Sequence, residues 1–143
     1  MRVLIGERWE DVWTAVPRAA EGIDIEGVHD VRVASRRLRA AMDIAAPAFP
    51  APWFEPLHKV AKEITSELGA VRDRDVMLEY LTEERDAAPP NERPGVDRLI
   101  ARIDRERIAA RAEMETFLHE LSERGLREET RRRFPANNSG EYE

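Results

Sequence analysis

Four side chains that carry or can carry positive charge recur within one short segment of the sequence: His29, Arg32, Arg36 and Arg39. On an α-helix, where each residue advances by about 100°, they fall within one arc of roughly 80°. A second arc of the same segment is apolar and borders the first; it contains Val31, Ala34, Leu38, Ala41, Met42 and Ala45. The spacing therefore predicts a helix with a cationic stripe that points partly inward.

Charge is segregated in this chain: the stripe is positive, whereas the formal net charge of the whole protein is -6. Asp30 is the only acid close to the stripe, and no glutamate stands four residues away to neutralise it. Guanidinium groups match phosphate oxygens in a two-pronged geometry, so a phosphate polyanion is the natural partner. The alternative interpretation is an ordinary solvated helix face.

A second segment that could do chemistry is Leu68–Val76, which contains a glycine followed by alternating arginines and aspartates. We predict that one helix ends at Gly69 and that the next begins near Arg72 or Asp73. Asp73 and Asp75 would then cap that helix, or hold arginines of the stripe by charge-assisted hydrogen bonds. Three further cations are expected to join the cluster: Arg72, Lys62 and Lys59.

Two arginines on a later helix, Arg107 and Arg111, lie on or beside its apolar stripe. A buried arginine needs an anion or a carboxylate. They therefore either contribute to the anion site or pair with Asp73 or Asp75.

The helical periodicity continues nearly throughout and predicts an all-α antiparallel bundle of four to five helices. Pro17 is expected to kink or end the first helix. The predicted helices are Val3–Ala20, Val28–Ala46, Phe54–Leu68, Arg72–Asp86 and Val96–Ser122. Residues 1–125 would form one helical domain, and residues 126–143, which lack periodicity, a mobile C-terminal tail.

Composition narrows the function classes. The chain has no cysteine, which excludes disulfides and thiolate metal sites. No apolar run approaches the roughly 20 residues of a membrane span, and the N-terminus does not resemble a signal peptide, so we expect a cytoplasmic protein without a membrane partner. His58 and His119 stand alone, and no catalytic or metal-binding motif is evident. We therefore predict no metal, no cofactor and no catalytic residue.

The two basic segments together resemble the signature of a known family. The pattern His-x-x-Arg-x-x-x-Arg-Arg-x-Arg at His29–Arg39 and the pattern Leu-Gly-x-x-Arg-Asp-x-Asp-Val at Leu68–Val76 are similar to those of the CHAD family, the conserved histidine α-helical domain. The resemblance implies helical bundles around a basic channel that binds inorganic polyphosphate. It implies channel-lining roles for His29, Arg32, Arg36 and Arg39, with Lys62, Arg72, Arg107 and Arg111 adding to them. It would also place the protein at polyphosphate granules.

The resemblance covers half of a typical member, which contains two such helical repeats. This chain contains one copy of each pattern and no evident internal repeat. Either one bundle binds alone, or two chains pair as a C2 homodimer and rebuild the channel.

Three functions follow from these observations. The first is binding of polyphosphate without catalysis, strengthened at mildly acidic pH when the His29 imidazole is protonated. The second is a metal-dependent phosphoanhydride hydrolase, for which Asp30, Asp73 and Asp75 are the nearby acids. The third is a structural or protein-interaction bundle. Nucleic acid is a weaker candidate, because the net charge is negative and no aromatic residues interleave the basic ones.

Overall fold

Five α-helices make up the part of the chain that a computed structural model describes, residues 1–22 and 24–135. They are α1 (Arg2–Glu21), α2 (Glu26–Ala45), α3 (Ala51–Ala87), α4 (Arg93–Glu123) and α5 (Leu126–Arg133), and a short 3-10 helix at Ala46–Ala48 follows α2. These ranges contain no strand. The predicted all-α bundle of four to five helices is confirmed.

Each of the first four helices packs against the next one along the chain, and α5 returns to pack on α1. Short connections make such neighbours antiparallel. Apolar side chains from all five helices meet in one core, among them Trp9, Leu38, Ile64, Met114 and Leu126. Across the described residues, none of the helices combines the length and the apolar character needed to cross a membrane.

The helix α1 continues through Pro17 and ends at Gly22, which adopts a left-handed conformation with φ of 70°. The expectation that Pro17 could end this helix is wrong. Proline removes one backbone hydrogen bond, but the last turn has another partner. Arg111 of α4 donates to the carbonyl oxygen of Ala19 at 2.9 Å. A tertiary contact thus holds the end of the helix where local propensity is weak.

The predicted helix break at Gly69 is wrong. The third and fourth predicted helices are one continuous α3 of 37 residues, about 55 Å long. Gly69 lies buried within it, and its φ is not positive. Arg32 of α2 packs beside it, and a Cβ atom at this position would make an ordinary contact with Nε of Arg32 at 3.5 Å. Asp73 and Asp75 accordingly lie inside a helix and do not cap one.

The C-terminal segment differs from the predicted mobile tail over residues 126–134. Leu126, Thr130 and Phe134, spaced by four, are buried. The indole Nε1 of Trp13 donates to Oγ1 of Thr130 at 3.0 Å, which ties α5 to α1. Residues 136–143 of that predicted tail lie outside the described residues.

The helices α3 and α4 extend beyond α1 and α2. Ile25, at the start of α2, lines a cleft with Asp75 of α3, so α3 runs on past the start of α2 after this residue. Beyond Asp75 the only buried residue of α3 is Leu81, and the buried residues of α4 begin at Met114. We call residues 76–108 the arm.

Candidate anion-binding groove

The register between α2 and α3 decides which basic residues meet. Three contacts join the two helices, in order along α2: Asp43 with His58 at 2.6 Å, Ser35 with Thr65 at 3.0 Å, and Arg32 with Gly69. An antiparallel pair with these contacts places Arg39 opposite Lys62 and His29 opposite Arg72. The predicted cations of the two helices thus follow one seam.

The apolar pattern of α2 explains why its cations lie at this seam. Val28, Val31, Leu38 and Met42 are buried in the core. The cationic arc adjoins that buried face, so it meets α3 on the outer side of the helix pair.

We call this surface the basic groove. It consists of His29, Arg32, Arg36 and Arg39 of α2 and Lys62 and Arg72 of α3, with Lys59 at its edge. His29, Arg32 and Arg72 are partly buried, whereas Arg36, Arg39, Lys59 and Lys62 are exposed. The groove therefore combines anchored cations at one end with accessible cations at the other.

Few carboxylates neutralise the groove. Asp73 lies 3.5 Å from the guanidinium of Arg32. Asp30 turns away and pairs with Arg18 of α1 at 2.9 Å. In the described part of the chain, no salt bridge forms at the remaining groove cations, which are Arg36, Arg39, Lys59, Lys62 and Arg72.

Two groove arginines hold buried N–H groups without an acceptor among the described residues: Nε of Arg32 and Nη1 of Arg72. Leaving such a donor unpaired costs about 1–3 kcal/mol. An anion with several oxygen atoms would supply both acceptors, because each arginine offers several donors in a fixed plane.

The predicted site residues Arg107 and Asp75 lie outside the groove. They form an ion pair between α4 and α3, with 2.5 Å between Nε of Arg107 and Oδ1 of Asp75. The Asp75 side chain is only 2% exposed, so the pair ties the two long helices together. The sequence left two roles open for Arg107, a contribution to the anion site or an ion pair with an aspartate. The contacts match the ion pair.

Arg111 also lies outside the groove. Its Nη2 caps the end of α1 at Ala19, and its Nε lies 3.1 Å from Glu115 on its own helix. Gly22 lies directly against this guanidinium, since a Cβ atom there would be 2.3 Å from Nη2. The structure therefore places Arg111 at a junction of α1 and α4.

The sequence analysis missed His58 as a neighbour of the groove. Its side chain is 13% exposed and its Nε2 bonds Asp43 across the seam. His58 also lines one cleft with Lys59 and Lys62. The signal was available, because His58 precedes Lys62 by four residues and so shares its helix face.

Comparison with known proteins gives one match. The family model described as the CHAD domain matches residues 4–142. Neither a curated protein nor a solved structure matches the chain. The matched range contains every residue of the basic groove.

Proposed function

The chain belongs to the CHAD family, and we propose that it binds inorganic polyphosphate along the basic groove without catalysing a reaction. The family is associated with polyphosphate binding. The observation that carries the proposal for this chain is the line of cations at the α2–α3 seam, of which only Arg32 has a carboxylate partner within residues 1–22 and 24–135.

Binding would be electrostatic. Each phosphate unit meets one or two guanidinium or ammonium groups, and counterions are released from the polyanion. From His29 to Arg39 the stripe rises about 15 Å along α2. A narrow seam of this length suits a thin and flexible polyanion better than a duplex. Binding would also bring the protein to cytoplasmic polyphosphate granules.

Roles differ among the residues. We assign direct contact with phosphate to His29, Arg32, Arg36, Arg39, Lys62 and Arg72, with Lys59 at the edge. Asp73 holds the Arg32 guanidinium over Gly69. We assign structural roles to Arg107, Arg111 and Asp75, because their side chains already have protein partners.

A homodimer is the second part of the proposal. The groove is open on its outer side, and Val76, Met77 and Tyr80 are exposed farther along α3. Lys62, Asp73 and Tyr80 fall on the same face of that helix. A second copy packed on these apolar residues would bring its own groove close to the first and enclose the ligand from two sides.

Titration with polyphosphates of defined length tests the proposal. The pure protein is mixed with ligand in the presence of Mg²⁺, and both the bound fraction and the chain length of the ligand are measured. We expect saturable binding and unchanged chain length. Shortening of the chains would instead favour the hydrolase, and absence of binding would favour a purely structural bundle.

A further inference from the structure

An acidic cleft of about 480 Å³ lies where α2 begins, between the overhanging parts of α3 and α4. Its lining carries four carboxylates and one guanidinium. The acids are Asp75, Glu79 and Glu83 of α3 and Asp104 of α4, and the cation is Arg107. The cleft is thus the opposite in charge of the basic groove, and the proposed function leaves it unused.

Three of the four carboxylates of this cleft lack a neutralising partner among the described residues. In the described part of the chain, Glu79, Glu83 and Asp104 form no salt bridge, and Arg107 is already bound to Oδ1 of Asp75. Asp75, Glu79 and Glu83 follow one another at intervals of four residues. Like charges at this spacing repel each other across a helix face.

One carboxylate oxygen in the cleft is also buried without a donor. The Asp75 side chain is 2% exposed, and its Oδ2 has no hydrogen-bond partner among the described residues. Buried polar atoms in folded proteins nearly always have a partner. A cationic donor entering the cleft would supply one and reduce the repulsion among the acids.

We propose that this cleft binds a linear aliphatic polyamine. Successive acids on α3 are about 6 Å apart along the helix axis, which suits several ammonium groups separated by short alkyl spacers. A primary ammonium group is a compact charge with three donors, and a secondary one within the chain has two. The alkyl spacers would pack on Ile25 and Leu78, which also line the cleft.

Calorimetric titration with spermidine, on the full chain and without polyphosphate, tests this site. The double variant Glu79→Gln with Glu83→Gln removes two exposed acids from the cleft. The control, Glu113→Gln with Glu120→Gln, removes two exposed acids that line a different cleft. We expect the cleft variant to bind about tenfold more weakly or worse, and the control to bind like the unmodified chain.

Equal losses in the two double variants, or no saturable binding by the unmodified chain, would overturn the proposal. Displacement of spermidine by an equal concentration of Mg²⁺ would also overturn the proposal, because the cleft would then recognise positive charge and not the alkyl spacers of a polyamine. Asp104→Asn provides a second variant on α4 in case the α3 variant does not fold, and it should also weaken binding.

Discussion

Arginine residues in this protein divide by what satisfies their N–H groups. Arg107 donates to a carboxylate and Arg111 to a carbonyl oxygen, whereas Arg32 and Arg72 each retain a buried N–H that finds no acceptor in the described part of the chain. The same residue type therefore stabilises the bundle at one place and is available for an anion at another. The distinction depends on contacts between different helices.

His29 gives a pH-dependent prediction at the residue scale. It lies opposite Arg72 in the seam, so a phosphate bound there would favour the protonated imidazole. We expect polyphosphate to bind more tightly at about pH 5.5 than at about pH 8, because the proton adds one positive charge to the groove.

Binding isotherms across this pH range provide the check. The variant His29→Asn should bind with less pH dependence, and His119→Asn, at an exposed histidine on α4, should behave like the unmodified chain. Equal affinity at the two pH values for the unmodified protein would remove His29 from the site.

At the scale of the element, α3 shows how one glycine can be misread. A glycine after an apolar helical stretch is typical of a C-cap, but the same residue also permits a close approach within a helix. Choosing between a helix end and a helix interior requires the tertiary contacts of α3, and the sequence does not show that Arg32 of α2 packs beside Gly69.

The pair Gly69→Ala and Gly22→Ala tests this correction. Alanine is the better helix former, and its Cβ at position 69 would make only an ordinary contact with Arg32. We therefore expect Gly69→Ala to leave the free energy of unfolding unchanged or to raise it by up to about 1 kcal/mol. Gly22→Ala should lower it by about 2 kcal/mol or more, because Gly22 has a positive φ and touches Arg111.

Chemical denaturation of both variants gives the comparison. A strong loss of stability in Gly69→Ala would indicate a helix end at this residue and contradict a continuous α3.

The ion pairs of Glu10 on α1 with Arg127 and Arg131 on α5 lead to a prediction about acid. A hydrogen bond from Arg131 and the charges of Arg131 and Arg127, opposed by partial burial, hold the pKa of Glu10 below its ordinary value of 4.5. Because the pKa is lower in the folded state, this contribution is present above about pH 4.5 and is lost as the pH falls through the folded value. We expect it to be up to about 1 kcal/mol, since both arginine partners are about half exposed and the solvent screens their charge.

Unfolding free energies at about pH 6 and about pH 3 measure this contribution. Glu10→Gln should be less stable than the unmodified chain at the higher pH and nearly equal to it at the lower pH. A constant difference at the two pH values would contradict an ionic role for Glu10. Glu120→Gln, at an exposed acid on α4, is the control.

At the scale of the whole molecule, the sequence predicted the helical class, the cationic stripe and its position beside the buried face. Those features follow from local periodicity, and the structure places His29, Arg32, Arg36 and Arg39 along one seam, as their spacing indicated. The sequence did not show that Arg107 and Arg111 lie outside the groove, because their partners are on other helices. The short α5 was missed because its apolar periodicity is weak: three residues that become buried stand among arginines and glutamates.

The exposed apolar residues of the arm lead to a prediction about assembly. If Val76, Met77 and Tyr80 form the dimer surface, the double variant Met77→Glu with Tyr80→Glu should be monomeric, because it places charges in an apolar contact. Light scattering with and without polyphosphate measures the mass. Ile44→Glu, at an exposed residue of α2, is the control and should remain dimeric. A monomeric unmodified chain, with and without ligand, would contradict the dimer.

The central claim is that the cations of the α2–α3 seam bind a polyanion, and its most direct test is polyphosphate affinity measured at increasing salt. The variant Arg36→Ala with Arg39→Ala is compared with Arg37→Ala and Arg98→Ala together, a control that removes two exposed arginines outside the groove. We predict that affinity falls steeply with salt, that the groove variant binds about tenfold more weakly or worse, and that its salt dependence is shallower by about one per arginine removed. The control should match the unmodified chain. Equal losses in the two variants, or a groove variant that binds as tightly as the unmodified chain, would contradict the claim.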